Sequence, residues 1–230
     1  MRSHALVALV CVFIAGCLGD GEPLLEGYEG GSSTMSEEDT GADPGDASEA
    51  GGDEGDVDGQ EDASVECTWP TEGTGFALGD TFSPDMVLRE CDGTERTLGE
   101  LMCGHKLTLI DLSAGWCQPC KEQALTLDLE IYEPYKDAGL QVVSIIFQSE
   151  DSGVATSSTC EEWRDAFELT SPVLTDPFFN LNGGVKAMFD AAGGAAPVNM
   201  LVDETFTIKY VHSGEKPVGL DKVIEGFLSD

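Results

Sequence analysis

The sequence predicts an α/β fold in which a central mixed β-sheet is flanked by helices and preceded by a β-hairpin. Short apolar runs rich in β-branched residues alternate with amphipathic segments, the pattern of βαβ units. An Asp92-Gly93 turn separates two strand-like runs near the start of this region, which predicts the hairpin. Residues 67–230 are numerous enough for one domain with a substantial core.

The predicted elements follow one another along this domain. Met86–Cys91 and Glu95–Leu98 form the hairpin. The apolar run Lys106–Leu112 predicts a buried strand, Lys121–Tyr135 a well-covered helix and Leu140–Phe147 a second strand, which together make a right-handed βαβ crossover. The pattern then predicts a helix, a short strand, a helix, two strands joined by a tight turn and a closing helix. In chain order these are Cys160–Glu168, Ser171–Asp176, Gly184–Ala191, Val198–Val202, Phe206–His212 and Leu220–Leu228.

The N-terminus has the form of an export signal that ends at a lipidation site. Arg2 precedes an apolar run, Ala5–Ala15, which is too short to cross a hydrocarbon core of about 30 Å. The following stretch, Ile14-Ala15-Gly16-Cys17, resembles the lipobox of bacterial lipoproteins. The resemblance implies a signal peptide over residues 1–16 and a diacylglycerol on Cys17. Ordinary signal cleavage is the alternative.

Residues 17–66 are predicted to form a disordered acidic tether. Seventeen Asp and Glu residues and no Lys or Arg lie between Leu18 and Glu66. Like charges repel one another, and the segment has too little apolar surface to offset the entropy of ordering. Residues 67–230 hold the other twenty-seven acidic residues against ten basic ones. This charge argues against nucleic acid and anionic headgroups as partners and favours neutral or basic ones.

Two cysteines separated by two residues, Cys117 and Cys120, lie between a predicted strand and a predicted helix. A zinc site would need further ligands at short spacing, and none stands nearby, so we predict no metal. A structural staple across so short a loop restrains the unfolded chain little. At a helix N-terminus, the unpaired N–H groups and the helix dipole lower the pKa of the Cys117 thiol from about 8.5. The placement therefore favours a redox-active disulfide, with no other cofactor.

A resemblance to the thioredoxin superfamily is carried by the stretch IDLSAGWCQPCKEQ. The flanks resemble the membrane-anchored redoxin branch of TlpA- and ResA-like proteins. Its N-terminal hairpin is similar to LGDTFSPDMVLRECDGTERTLGEL, its third-strand segment to SPVLTDP, and its proline loop and closing hairpin to AAPVNMLVDETFTIKYVHSG. The likeness extends from about Phe76 to Phe227. It implies a thioredoxin-like fold and a thiol-disulfide oxidoreductase.

The resemblance also implies roles for single residues. Cys117 is the attacking thiol, which forms a mixed disulfide with the substrate, and Cys120 resolves it. Pro197 stands at the family's cis-proline, whose loop offers backbone to the incoming chain. Asp111 occupies the position of thioredoxin's buried aspartate, which moves the proton of the resolving thiol and whose pKa burial should raise. A trans proline and a purely structural acid are the alternatives.

Two further residues are expected to contact substrate. Trp116 should pack beside the motif and limit access to it, with core packing as the alternative. Ala196 precedes the proline where the family usually has a bulkier residue. The branch also commonly has asparagine where Asp111 stands and an aromatic pair where Leu112 and Ser113 stand. These departures leave the cysteine chemistry intact and bear on substrate choice and redox potential.

Four other cysteines are candidates for structural disulfides in an oxidising compartment. Four cysteines allow three pairings, and spacing alone does not choose among them. The short separation between Cys91 and Cys103 favours that pair. Cys67 and Cys160 would then tie the N-terminal arm to the domain.

The predicted function is an extracytoplasmic thiol-disulfide oxidoreductase on a lipid anchor. Expected partners are exported proteins with disulfides or thiols, a membrane redox protein that supplies electrons, and the membrane itself through the lipid on Cys17. Pro119 is similar to that of mostly reducing relatives, which favours a reductant. Leu18 resembles the residue that follows the lipidated cysteine in outer-membrane lipoproteins, so the outer membrane is favoured.

Two alternative functions are a surface-displayed binding module, in which the CxxC pair is only a staple, and a peroxiredoxin-like antioxidant enzyme. Peroxide reduction in the peroxiredoxins uses Thr or Ser three residues before the reactive cysteine. Ala114 stands there in this chain, which argues against the peroxidase.

Overall fold

A computed structural model describes residues 67–229 of the chain. The predicted signal peptide (1–16), the lipidation site at Cys17 and the tether (17–66) lie outside the described residues and stay predictions. Within 67–229, no helix is both long enough and apolar enough to cross a membrane.

A seven-stranded mixed sheet forms the centre of the fold, with strand order β2-β1-β5-β4-β3-β6-β7. β3 and β5 pair with β4 in parallel, whereas β6 runs antiparallel to β3 and β7 antiparallel to β6. The hairpin strands β1 and β2 join the sheet where β1 pairs antiparallel with β5. The predicted mixed sheet with an N-terminal hairpin is therefore confirmed. The strands are β1 Val87–Glu90, β2 Glu95–Thr97, β3 Leu107–Ala114, β4 Leu140–Gln148, β5 Val173–Thr175, β6 Val198–Asp203 and β7 Ile208–Ser213.

Six α-helical segments accompany the sheet in the described part of the chain. They are α1 Leu98–Met102, α2 Gln118–Leu127, α3 Glu133–Tyr135, α4 Ser157–Ala166, α5 Lys186–Ala191 and α6 Leu220–Ser229. Short 3₁₀ turns occur at Lys136–Ala138 and Phe179–Leu181, and a π-helical turn, Asp128–Tyr132, joins α2 to α3.

The prediction that a strand continues to Leu98 is wrong, because α1 begins at that residue. Thr97 caps this helix, since its hydroxyl accepts the backbone N–H of Glu100 while the Glu100 carboxylate accepts the N–H of Thr97. This reciprocal capping box satisfies two N–H groups that the helix leaves unpaired.

The central strand β3 sets the position of the cysteine motif. All eight of its residues are buried, as the apolar run in the sequence predicts. β4 and β6 flank it on either side, and the register places Asp111 opposite Ser144 of β4 and Asn199 of β6. The chain leaves β3 after Ala114 and enters α2 within four residues. The motif therefore follows a strand that is buried along its whole length and paired on both sides.

The two structural disulfides pair differently from the prediction. Cys67 bonds Cys103, and Cys91 bonds Cys160, with Cα atoms 5.8 and 5.1 Å apart. The predicted pairs Cys91–Cys103 and Cys67–Cys160 are wrong because spatial neighbours, not sequence neighbours, decide the bonding. β1 pairs with β5, and the sulfurs of Cys91 and Cys160 lie 3.7 and 3.2 Å from the carbonyl oxygen of Val173.

Removing the Cys91–Cys160 disulfide with a double alanine substitution is expected to lower the free energy of unfolding by roughly 2 to 4 kcal/mol. The reason is that the bond joins residues 69 apart in the chain and so restricts the unfolded state strongly. Urea unfolding of both proteins measures the difference. The matched double substitution at Cys67 and Cys103, 36 residues apart, should cost somewhat less. An unchanged midpoint for the first variant would contradict the stabilising role.

Candidate active site

The cysteine pair lies at the N-terminus of α2. Cys117 is the N-cap residue, with extended backbone, and its sulfur accepts the backbone N–H of Cys120 at 3.2 Å. Pro119 fits the first turn because the N–H it lacks would have had no acceptor within the helix. The two sulfurs are bonded, with Cα atoms 5.3 Å apart. The structure therefore shows the oxidised form of the pair.

The helix N-terminus favours a thiolate on Cys117 once the disulfide is reduced. The N–H of Cys120 already points at this sulfur, and the helix dipole places partial positive charge there. Both effects stabilise the negative charge of a thiolate, which is the nucleophilic form of cysteine. Cys120 is fully buried, while Cys117 keeps 2% exposure. Both cysteines are therefore buried in the oxidised form, and Cys117 is the one with surface left to meet a partner.

Asp111 is a buried carboxylic acid on β3, six residues before Cys117. Both of its oxygens accept the hydroxyl of Ser113 at 3.1 Å, and one accepts the amide of Gln123 at 3.0 Å. Ser144 donates a longer hydrogen bond of 3.4 Å. Burial raises the pKa of Asp111 to about 7, although these hydrogen bonds act to lower it. The group can therefore take up and release a proton near neutral pH, as expected from the sequence.

A pair of buried amides connects Asp111 to two other elements of the fold. Gln123 of α2 and Asn199 of β6 donate to one another, each at 2.9 Å, and the Gln123 amide also donates to Asp111. Sequence reasoning missed both residues. The available signal was a polar residue three positions after Cys120 on a covered helix, and a second at a buried position of β6. Together the three side chains join α2, β3 and β6.

The peptide bond between Ala196 and Pro197 is cis, as the resemblance implies. Pro197 is buried and Ala196 half-buried directly before β6. Leu112 of β3 aligns with Val198 of β6, so Pro197 lies level with the end of β3. The proline loop leads into β6 and the cysteine motif follows β3, so both lie at the same end of two neighbouring strands.

Trp116 lies directly before the cysteine pair and is 43% exposed. Its indole N–H donates to the side-chain oxygen of Gln148 at 3.0 Å, and its ring meets Phe147 edge-on at 6.3 Å. This exposure is inconsistent with the alternative that Trp116 is a core residue. The ring is held in place by these contacts and is still partly open to solvent beside Cys117.

Comparison with known proteins identifies the family and the fold. The AhpC/TSA family model matches residues 79–211, whereas no curated protein matches the sequence. A structure described as the thiol:disulfide interchange protein DsbE of Chlorobium tepidum aligns with a TM-score of 0.53 and 21% identity, over 67% of this chain and 99% of that one. A thiol:disulfide interchange protein from Bacteroides sp. gives 0.53 and 17%, over 67% and 92%. A thioredoxin domain of a thiol-disulfide oxidoreductase from Bacteroides vulgatus gives 0.51 and 17%, over 66% and 98%. These likenesses show a thioredoxin-like fold.

Proposed function

This chain belongs to the AhpC/TSA family, and from that premise we propose that it is an extracytoplasmic thiol-disulfide oxidoreductase that reduces protein disulfides through Cys117 and Cys120. Family membership supports redox chemistry. The observation that carries the finer proposal is the bonded CxxC pair at a helix N-terminus, directly after the strand that holds the titratable acid Asp111. The solved relatives named as thiol:disulfide interchange proteins support the same reaction.

The proposed reaction moves two electrons from the dithiol to the substrate. The Cys117 thiolate attacks one sulfur of the substrate disulfide, which forms a mixed disulfide and releases the first substrate thiolate. Cys120 gives its proton to Asp111 and attacks the sulfur of Cys117. The second substrate thiolate then leaves, the enzyme disulfide forms, and the substrate thiolates take up protons. An electron-supplying membrane redox protein would restore the dithiol.

We assign the enzyme to the outside of the cytoplasm, anchored by lipid on Cys17 and favouring the outer membrane. The lipobox-like sequence supports the anchor. The disulfides Cys67–Cys103 and Cys91–Cys160 support an oxidising compartment, because such bonds are rare in a reducing cytosol. Exported proteins with disulfides or thiols are then the substrates, which Trp116 and the Pro197 loop would contact.

A peroxiredoxin-like antioxidant reaction is the second candidate, because the matching family model covers AhpC-type proteins. The residue three positions before Cys117 is the buried Ala114, which has no hydroxyl to orient a peroxide. A peroxide-consumption assay, run beside an insulin-reduction assay, separates the two candidates. An oxidoreductase should reduce insulin much faster than it consumes peroxide.

Two measurements on the full chain test the proposal. We expect the chain to accelerate insulin reduction by dithiothreitol, and no acceleration over dithiothreitol alone would contradict the enzyme. Equilibration with glutathione then gives the potential of the Cys117–Cys120 couple. A reductant should lie nearer to thioredoxin, at about −270 mV, than to the oxidant DsbA, at about −120 mV.

A further inference from the structure

A cavity of about 720 Å³ lies beside the cysteine motif and has no part in the reaction above. Its walls come from Gly115 at the end of β3, from the loop Ser149–Asp151 after β4 and from one face of α4. Gly115 stands two residues before Cys117, and a Cβ there would meet the backbone nitrogen of Glu150 at 2.7 Å. Glycine therefore allows the cavity wall to pack directly against the motif.

The cavity combines an apolar wall with an acidic rim. Trp163 of α4 and Phe167, which directly follows α4, line it, with ring centroids 4.7 Å apart. The charged residues that line it are three acids and one cation: Glu150, Asp151, Glu162 and Lys121. Lys121 lies 3.5 Å from Glu150, which leaves an excess of negative charge. Lysine and arginine, with an apolar stem and a cationic head, match such a surface.

Trp163 carries a second, independent feature that points to a ligand. Its side chain is 5% exposed, and its indole nitrogen is buried without a hydrogen-bond partner among residues 67–229. A buried N–H without an acceptor is costly. This nitrogen is closed to solvent, so a peptide carbonyl in the cavity would supply the acceptor once the indole ring turns toward it. The walls thus offer complements to a basic side chain and to the backbone beside it.

We propose that this cavity is a subsite for a lysine or arginine near the reactive cysteine of a protein substrate. The proposal rests on the proposed oxidoreductase function and adds a substrate preference to it. The acidic excess of residues 67–230 acts in the same direction, because it attracts basic segments over a longer range. The subsite is separate from the proline loop, since neither Ala196 nor Pro197 lines the cavity.

The preference can be tested on the full chain with two peptide disulfides. The peptides are identical except that one carries arginine, and the other glutamate, within five residues of the cysteine. At low salt the arginine peptide should be reduced with a kcat/KM at least about fivefold higher, since several weak charge contacts add up. The gain should lie in KM, and it should shrink as added salt screens the rim.

A matched pair of variants separates this subsite from the overall charge. The double variant E150Q/E162Q removes two rim charges. It should bring the ratio of the kcat/KM values for the two peptides close to one. The control E161Q/E204Q removes the same charge from two exposed residues that do not line the cavity, and it should keep most of the preference.

The outcomes distinguish the subsite from the reaction it serves. Equal rates for both peptides at low salt, or a preference that survives E150Q/E162Q, would overturn the subsite. Failure to reduce hydroxyethyl disulfide, a small neutral substrate that needs no subsite, would overturn the proposed function itself.

Discussion

Serine in place of Cys117 is expected to lower the rate of disulfide reduction at least about 1,000-fold, because the reaction loses its nucleophile. A serine hydroxyl at the N-terminus of α2 is not ionised near neutral pH and cannot form a mixed disulfide. Serine in place of Cys120 has a different expected result. The first attack still occurs, but the mixed disulfide between Cys117 and the substrate is not resolved.

Insulin turnover and non-reducing gel electrophoresis measure these two effects. The Cys117 variant should show turnover at background, and the Cys120 variant should accumulate a substrate adduct that dithiothreitol releases. The matched control is the double serine variant at Cys67 and Cys103, a disulfide outside the site, which should keep its turnover. Full activity in the Cys117 variant would refute the assignment of the nucleophile.

Asparagine in place of Asp111 is expected to raise the free energy of unfolding at pH 8 by on the order of 4 kcal/mol. The pKa of Asp111 is about 7 in the folded protein and about 3.9 in an unfolded chain. At pH 3 the acid is protonated in both states and has no effect. Between these two pKa values only the unfolded state releases the proton, so the stability of the native protein falls as pH rises and levels off above pH 7.

Urea unfolding at pH 5 and pH 8 measures this difference. The free energy of unfolding of the Asp111 variant should fall much less between pH 5 and pH 8 than that of the unsubstituted protein. An identical fall in the two proteins would contradict the raised pKa of Asp111. The variant should also lose the inflection near pH 7 in the rate at which the mixed disulfide is resolved. Asp176 is a buried acid whose pKa burial also raises. Its asparagine variant should leave that kinetic inflection unchanged.

Local sequence patterns predicted those parts of the fold that depend on local chemistry. β3 and β4 are buried apolar runs, and the hairpin follows from the Asp92-Gly93 turn. The π-helical turn after α2 was not predictable in this way. Asp128 begins it, and its carboxylate accepts hydrogen bonds from Thr170 and Ser171, some forty residues further along the chain. The geometry of this helix therefore depends on a long-range contact.

The candidate site likewise has residues that local sequence patterns predict and residues that only the tertiary fold brings together. Cys117 and Cys120 are recognisable from their spacing, and Asp111 and Pro197 from their places around it. Gln123 and Asn199 become partners only because α2 packs over β6. The structural disulfides were mispaired for the same reason, since the position of β1 beside β5 is a property of the sheet topology.

The Cys67–Cys103 disulfide has a mechanical consequence. It encloses the hairpin strands β1 and β2 together with α1 in a covalent loop. A force applied to the chain before Cys67 would pass through the sulfur bridge to Cys103, four residues ahead of β3. From Cys103 the load would divide, because the Cys91–Cys160 disulfide offers a second covalent path to α4 through α1 and β2. Residues 68–90, which include β1, lie off both paths, so such a pull would not peel β1 from β5.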